Sequence, residues 1–313
     1  MTLTRQRAIG SPFGAHSTAE QVLSGIDLSG KTVLITGGYS GLGKEATMAL
    51  ARAGATVLVT ARRPDAARAE LRGVARTEVH DLDLADLDSV RRFCDRFRDT
   101  GRTLDIVLCN AGVMAYPRHR LASGWEAHFA INHLGHFALV NRLRPTLAPG
   151  ARVVAVASAG HFLSGIRWDD PHFSADYDHW LAYGQSKTAN ALFATHLDTL
   201  GVRAFAVHPG SILTPLQRNI PHADQLAQGW LTADGRPADG FKTPAQGAAT
   251  AVWAATSALL DDLGGRYCQD CEIAAPAQSD DMLVGGVKPW AVDPDAAARL
   301  WTLSSELTGV NGF

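Results

Sequence analysis

The sequence predicts an α/β fold, a doubly wound parallel sheet in a single domain. Its short strands are almost wholly apolar, which is typical of strands that are covered on both faces. These strands alternate with helices, as a sheet built from right-handed crossovers requires. The alternation continues without a Pro/Ser-rich linker or a change in composition, so we expect one domain rather than two.

Composition supports an ordinary globular protein. Of the 313 residues, 46% are hydrophobic and 19% are charged, which is enough to bury a sizeable core. A formal net charge of -2 gives no reason to expect nucleic acid or an anionic membrane as a partner. No segment resembles a secretory signal or a membrane span, and four cysteines make no disulfide framework. These features predict a cytoplasmic protein.

Apolar runs and their stop signals define the elements of the first half. The first strand, at residues 33–35, ends in a Gly-rich turn, and the helix that follows stops at Gly54. Pro64 opens a short helix. Further strands are predicted at residues 56–60, 77–80 and 106–109, and further helices at residues 86–98 and 124–147.

The second half continues the same pattern. Strands are predicted at residues 152–157 and 203–207, and helices at residues 180–200 and 244–260. The long irregular stretch at residues 215–242 is predicted to be a lid over a substrate cleft.

The two ends of the chain lie outside this regular pattern. Residues 1–28 form a polar N-terminal extension, and residues 29–313 form the domain. The C-terminal tail, residues 270–313, contains a capped amphipathic helix at residues 295–306. We predict that the tail packs beside the lid and helps to close the cleft, with a helix that only seals the sheet edge as the alternative.

The turn after the first strand reads TGGYSGLG, with glycines at positions 37, 41 and 43. Glycines let the backbone turn tightly and approach a pyrophosphate, and the next helix points free N–H groups at the anion. Such turns also serve packing alone. The position of this one, between a buried strand and a helix, favours a dinucleotide site of the Rossmann type.

The end of the second strand predicts the choice of cofactor. An acid there would hold the ribose 2′-OH of NAD, but the chain has Arg62 and Arg63. A guanidinium suits a 2′-phosphate, so we predict NADP, with NAD as the weaker candidate. The alternative is that both arginines are solvated or pair with Asp65 or Glu70.

Tyr183 and Lys187 lie four residues apart on the predicted helix 180–200 and therefore share one face. A tyrosine titrates near 10, too high for acid–base work at neutral pH. A nearby lysine cation favours the phenolate and lowers that pKa. The pair predicts Tyr183 as a proton-transfer residue.

Several motifs occur together in the order and spacing of the short-chain dehydrogenase/reductase family, which the sequence resembles from about residue 28 to residue 260. It is most similar to the retinol-dehydrogenase-like branch that includes the WW-domain oxidoreductases. The likeness to this branch rests on LDLAD at 82–86, INHLGHF at 131–137, AYGQSK at 182–187 and a long gap before Tyr183. The family motifs are residues 36–43, Asn110-Ala111-Gly112, Asn132, Ser158, Tyr183, Lys187 and Pro209-Gly210.

The resemblance implies four catalytic residues. Tyr183 would exchange a proton with the substrate oxygen, and Ser158 would hydrogen-bond that oxygen. Lys187 would bind the nicotinamide ribose and tune Tyr183, and Asn132 would hold a water that links Lys187 to solvent. Taken alone, Ser158 could be an ordinary strand-end serine, and Asn132 could be a buried residue bonded to nearby backbone.

The resemblance also implies a set of cofactor contacts. Asp83 would bind the adenine amino group, Asn110 would fix the strand beside the cofactor, and Thr214 would bind the nicotinamide carboxamide. Asn110 could instead simply cap a strand end. The predicted contacts are Gly37, Tyr39, Ser40, Gly41, Leu42, Gly43, Arg62, Asp83, Leu84, Asn110, Ala111, Gly112, Tyr183, Lys187, Pro209, Gly210, Ile212 and Thr214.

The implied function is NADP(H)-dependent hydride transfer between a nicotinamide and the carbonyl or alcohol carbon of a small molecule. Reduction of an activated C=C or C=N bond and a non-catalytic nucleotide sensor are the alternatives, and retention of all four catalytic residues argues against the sensor. Cys268 and Cys271 lack a second ligand pair, so no metal site is predicted.

The predicted helix 180–200 is apolar nearly all round, which indicates burial on two sides. One side must face the sheet, and we predict that the other faces a second subunit in a homodimer. The alternative is that the lid or the C-terminal tail of the same chain covers it.

Overall fold

A single eight-stranded sheet runs through the computed structural model, which describes residues 5–313. Residues 1–4 of the predicted N-terminal extension lie outside the described residues. The strand order is β3-β2-β1-β4-β5-β6-β7-β8, and all neighbours are parallel except β7 and β8, so the predicted doubly wound α/β fold is confirmed. The strands are β1 (Thr32–Thr36), β2 (Thr56–Ala61), β3 (Thr77–Asp81), β4 (Leu104–Cys109), β5 (Leu147–Val156), β6 (Arg203–His208), β7 (Arg266–Gln269) and β8 (Glu272–Ile273).

Helices cover both faces of the sheet, so each face has its own apolar core. One face carries α4, α5 and α6, and the other carries α1, α2 and α8. No helix within residues 5–313 is both long and apolar enough to cross a membrane. The helices are α1 (Ala19–Val22), α2 (Gly41–Arg52), α3 (Pro64–Glu70), α4 (Leu87–Asp99), α5 (Gly135–Leu143), α6 (His179–Thr199), α7 (His222–Ala227), α8 (Pro244–Thr256) and α9 (Pro294–Thr308).

The predicted helix at 124–147 differs most from the structure. It is irregular to residue 126, passes through a π-helical turn at Phe129–Leu134, and continues as α5 only to Leu143. A 3₁₀ turn containing Pro145 then leads into β5. Proline removes a helical hydrogen bond and ends the helix, whereas the π turn leaves the apolar pattern intact and so escapes sequence inspection.

The outer side of α6 is covered by α9 of the same chain. Phe193 and Trp301 stack with ring centroids 6.0 Å apart, and Ala189 and Leu192 pack with Leu300 in one apolar cluster. This is the alternative weighed against a second subunit. The apolar positions that suggested a dimer are therefore already buried within one chain, except for Leu181, which is 37% exposed.

Two parts of the C-terminal tail make different contacts. Its helix α9 packs on α6, as the sealing alternative requires, but Met282 and Leu283 lie in the wall of a large cleft. The lid stretch at 215–242 also lines that cleft. It is more ordered than predicted, with a 3₁₀ turn at Pro215–Asn219 followed by α7.

The β7–β8 hairpin binds three other segments of the chain. The sequence did not predict it, because its strands are so short. The Glu272 carboxylate accepts hydrogen bonds from the backbone N–H groups of Ile9, Gly10 and Ser11 at 2.8, 2.8 and 2.9 Å. Asp270 forms an ion pair with Lys242 at the end of the lid stretch. The Gln269 amide oxygen accepts from Gly286 N at 3.1 Å. N-terminal extension, lid and tail thus meet at one hairpin.

Candidate active site

A cleft of about 590 Å³ opens where the carboxyl ends of the parallel strands meet. In doubly wound sheets this edge is the ligand-binding edge, because the strand order reverses there. All of the predicted cofactor contacts lie in its walls, and so does Ser158. Among the predicted residues only Asn132 is set back from the surface of the cleft, where it is fully buried.

The glycine turn brings β1, α2 and β4 into close contact. Gly37 has a φ of +65°, a left-handed conformation that favours glycine. A Cβ at Gly43 would lie 2.5 Å from the Asn110 side-chain nitrogen, so no larger residue fits there. Tyr39 is half-buried and packs against one sheet core. Ser40 precedes α2 without capping it through its side chain, which leaves first-turn N–H groups for an anion.

Arg62 follows β2 and Asp83 follows β3, and both residues lie in the wall of the cleft. Arg62 is exposed and lies in the cleft wall. The acids considered as its alternative partners bind elsewhere, since Asp65 pairs with Arg68 at 2.7 Å and Glu70 pairs with Lys44 at 2.8 Å. The guanidinium of Arg62 therefore remains accessible to a ligand anion.

A buried chain of hydrogen bonds that the sequence did not reveal supports the middle of the cleft. Thr36 Oγ1 accepts from the backbone N–H groups of Asn110 and Ala111, both at 3.0 Å. The same hydroxyl lies 2.8 Å from His136 Nε2, and His136 Nδ1 lies 2.9 Å from the Asn132 carbonyl. A carbonyl can only accept, so Nδ1 carries the ring proton and Nε2 accepts from Thr36. Burial lowers the pKa of His136 to about 4, which keeps this ring neutral.

The side chain of Asn132 both donates a hydrogen bond to the backbone of Val113 and accepts one from it. Its amide nitrogen donates to the Val113 carbonyl at 3.0 Å, and its oxygen accepts from Val113 N at 2.8 Å. The amide nitrogen also donates to Ser186 Oγ on α6 at 2.9 Å. Asn132 thus fixes one end of the segment 113–116, which borders the cleft.

Tyr183 lies on α6 with only 5% of its surface exposed. Burial raises its pKa to about 12, although the hydroxyl of Ser158 works in the opposite direction. The net shift is therefore upward, opposite to the lowering expected from Lys187, because burial dominates. The ring packs closely on Gly160, where an added Cβ would lie 2.8 Å from Tyr183 Cε1.

Ser158 and Lys187 flank this phenol. Ser158 Oγ accepts from Gly160 N at 3.0 Å, which leaves its O–H free to donate. Lys187 Nζ donates to the Val156 carbonyl at 2.9 Å and lies 5.6 Å from the centre of the Tyr183 ring. Burial lowers the pKa of Lys187 to about 8.

Apolar side chains form the part of the cleft beyond the predicted cofactor contacts. Trp180 and Trp230 meet edge to face with ring centroids 6.1 Å apart, in the same cluster as Met114, Ile220 and Tyr183. No motif spacing singles out these residues, because they come from α6, the lid stretch and a loop after β4. Only folding brings them together.

His161 connects Ser158 to the C-terminal tail. Its Nδ1 lies 2.7 Å from the Ser158 carbonyl, and its Nε2 accepts from Lys288 N at 3.1 Å. Its own carbonyl accepts from Trp290 Nε1 at 3.0 Å. Burial lowers the pKa of this imidazole to about 4. The tail is therefore anchored close to Ser158 in the cleft wall.

Sequence comparison relates the chain to dehydrogenases and oxidoreductases. A family described as short chain dehydrogenase matches residues 31–225. The chain is 42% identical over 295 residues to a Streptomyces lividans protein named "Probable oxidoreductase", covering 90% of this chain and 98% of that protein. It is 36% identical over 297 residues to retinol dehydrogenase 12 of Mus musculus, covering 91% of this chain and 88% of that protein.

Solved structures show the same likeness. A crystal structure of an uncharacterized protein from Mycobacterium paratuberculosis superposes with a TM-score of 0.73 at 34% identity, covering 95% of this chain and 99% of that one. The Pseudomonas aeruginosa RhlG/NADP active-site complex gives a TM-score of 0.59 at 25% identity, covering 78% of this chain and 95% of that one.

Proposed function

Because the chain belongs to the short-chain dehydrogenase/reductase family, in its retinol-dehydrogenase-like branch, and is an oxidoreductase, we propose that it transfers a hydride between NADP(H) and a carbonyl or alcohol carbon. One observation carries the proposal. The buried phenol of Tyr183, the hydroxyl of Ser158 and the ammonium of Lys187 converge on one cleft at the ligand-binding edge of the sheet.

The protein's own part of the reaction is proton transfer and orientation. The nicotinamide supplies or accepts the hydride when it is bound. Tyr183 keeps its proton at neutral pH, because burial raises its pKa to about 12, and it donates that proton to a carbonyl oxygen during reduction. Ser158 donates its free O–H to the same oxygen. In oxidation the phenolate takes the proton back.

Lys187 is placed to serve two purposes. One of its three N–H groups is committed to the Val156 carbonyl, so two remain for the ribose hydroxyls of the cofactor. Its positive charge also stabilises the phenolate that forms when Tyr183 releases its proton. Asn132 holds the backbone at Val113 beside these groups.

Two features support NADP over NAD. Arg62 is exposed in the cleft wall, where a guanidinium can bind a 2′-phosphate through its planar fork of donors. In addition, one similar structure, that of RhlG, is a complex with NADP. Asp83, Leu84 and Thr214 also lie in the cleft wall and complete the proposed cofactor site.

The direct test follows nicotinamide absorbance with a panel of aldehydes, ketones and alcohols. Tyr183→Phe should lower kcat by about 10²–10⁴-fold and leave NADPH affinity nearly unchanged, because the dinucleotide does not need the phenol. A panel of activated C=C and C=N compounds, with product analysis, tests the other reductions. NADPH binding without turnover on any panel would instead support the sensor.

Assembly and location remain predictions. The homodimer stays a prediction, with less support from the sequence because α9 already covers the apolar outer side of α6. Light scattering of this 33.3 kDa chain at micromolar concentration decides between monomer and dimer. A cytoplasmic location is a prediction from the sequence alone.

A further inference from the structure

A fully buried carboxylate–imidazole pair lies next to Tyr183. Glu126 and His128 are 1% and 0% exposed, just before the π-helical turn. The imidazole ring meets the Tyr183 ring edge to face, with centroids 6.1 Å apart. The hydride-transfer mechanism proposed above assigns neither residue a role. Buried charged groups are costly unless they are fully paired, so the pair calls for a physical account.

Every hydrogen-bonding atom of the pair is engaged. One oxygen of Glu126 accepts from His128 N at 2.9 Å and lies 2.7 Å from His128 Nδ1, and the other accepts from Phe129 N at 2.7 Å. Burial works to raise the pKa of Glu126, but the hydrogen bonds from His128 and Phe129 outweigh it and hold that pKa below its usual value.

These contacts determine the state of His128. An ionised carboxylate can only accept, so Nδ1 carries the proton. Nε2 is then an acceptor, and it receives the backbone N–H of Tyr116 at 3.1 Å. The ring is therefore held at both nitrogens, one by Glu126 and one by the segment 113–116.

The segment 113–116 is clamped at both ends. Asn132 binds the N–H and the carbonyl of Val113. His128 binds the N–H of Tyr116, and Tyr177 Oη donates to the Tyr116 carbonyl at 2.8 Å. Between the two clamps, Ala115 has a φ of +48°, a left-handed conformation that is unfavourable for a residue other than glycine. Such backbone persists only where its surroundings hold it in place.

The segment matters because it borders the reactive phenol. Val113 and Met114 line the cleft, and Met114 and Ala115 share an apolar cluster with Tyr183. We propose that His128, oriented by Glu126, is a positioning residue that fixes both the Tyr183 ring and the 113–116 wall in the arrangement the reaction needs. The inference rests on the proposed role of Tyr183.

The test compares two histidine variants on the same helical segment. His128→Phe keeps an aromatic ring but loses both nitrogens. His133→Phe is the matched control, because His133 is also buried and its Nε2 lies 2.7 Å from Ser304 Oγ on α9. His128→Phe should lower kcat about 10- to 100-fold with KM for NADPH unchanged, since misplacement of a reacting group by about 1 Å has such an effect. His133→Phe should lower Tm and retain kcat.

Two further variants test the proposal even if His128→Phe does not fold. Tyr177→Phe removes a hydroxyl that donates to the Tyr116 carbonyl and also interacts with Glu126, and it should lower kcat more mildly, because Glu126 keeps its hydrogen bonds from His128 and Phe129. His128→Gln retains a neutral acceptor for Tyr116 N and should restore most of kcat. Amide hydrogen exchange at residues 113–116 should be faster in His128→Phe than in His133→Phe.

The possible failures can be told apart. If Tyr183→Phe abolishes turnover but His128→Phe and Tyr177→Phe keep wild-type kcat, the positioning role is wrong and the proposed function stands. If both histidine variants lose kcat equally, the effect is general destabilisation and the positioning role is also wrong. A wild-type protein without turnover on any panel overturns the proposed function, and the positioning role with it.

Discussion

Replacement of Lys187 by methionine should stabilise the ligand-free protein at pH 7 while it abolishes activity. The Lys187 side chain is 4% exposed, and burial lowers its pKa from 10.5 to about 8. Each pKa unit corresponds to about 1.36 kcal/mol, so keeping this ammonium charged in the folded state costs roughly 3 kcal/mol at neutral pH. The variant also loses the hydrogen bond from Lys187 to the Val156 carbonyl, which destabilises its folded state by about 1 kcal/mol.

The Val156 carbonyl is not left without a partner, since Asn190 Nδ2 also donates to it at 3.0 Å. We therefore expect Lys187→Met to raise the free energy of unfolding by about 2 kcal/mol at pH 7. A stability gain at an active-site lysine is the usual trade between stability and function.

The advantage of the variant should depend on pH with a definite sign. The unfolded chain keeps the Lys187 proton up to its ordinary pKa of 10.5, whereas the folded chain releases it near 8. The unfolded state therefore binds more protons between these values, and wild-type stability rises relative to the variant across that window. The gain should be largest below pH 8, should fall to zero within this window, and should become a loss of about 1 kcal/mol above pH 10.5, where only the missing hydrogen bond to the Val156 carbonyl remains.

Urea unfolding of both proteins without cofactor at several pH values between 7 and 10.5 measures the difference directly. Buried thiols and Tyr183 titrate in both proteins, so their contributions cancel in the difference between the two free energies of unfolding. Lys44→Met is the control, because Lys44 is partly exposed and pairs with the exposed Glu70. A variant less stable than wild type at pH 7, or a difference that does not change with pH, would refute the reasoning.

Three further predictions address the cleft. Arg62→Ala should shift the preference for NADPH over NADH by about tenfold or more, because it removes a charge-assisted partner of the 2′-phosphate, while Arg68→Ala should not; equal wild-type affinity for the two cofactors would contradict this. Gly160→Ala places a Cβ 2.8 Å from the Tyr183 ring, so kcat should fall at unchanged NADPH affinity, and an unaltered kcat would mean that the ring adapts freely. Leu283→Asp should raise KM for an apolar substrate several-fold and spare KM for NADPH, since Leu283 lines the cleft. Its neighbour Val284, which is also exposed, is the control, and equal effects of Leu283→Asp and Val284→Asp would exclude a specific contact.

The sequence was informative wherever function depends on local order along the chain. Apolar runs predicted β1 to β6, and the glycine turn and the Tyr183–Lys187 pair predicted two parts of the cleft wall. The resemblance to the family implied the remaining cofactor contacts. These features involve neighbours in sequence or fixed positions relative to strand ends, so a single chain displays them.

What the sequence did not reveal depends on contacts between distant segments. Three histidines, at positions 128, 133 and 136, looked alike on one helical stretch. The structure gives the first a carboxylate beside Tyr183, the second a serine on α9, and the third a threonine hydroxyl under the cofactor edge. Their tautomers follow only from these partners. The cover of α6 by α9 likewise depends on packing between elements about a hundred residues apart.

The β7–β8 hairpin affects how the enzyme is made as well as how it works. Chains emerge from the ribosome with the N-terminus first, and domains fold as their parts become available. Three hairpin residues bind other segments: Gln269 binds the tail, Asp270 the lid stretch and Glu272 the N-terminal extension. These contacts cannot form until the hairpin has been synthesised. The strands β1 to β4 can form early, but the hairpin is synthesised only near the end of translation. In a nascent chain that stalls before the hairpin, the lid stretch and the N-terminal extension would lack the contacts that Asp270 and Glu272 supply.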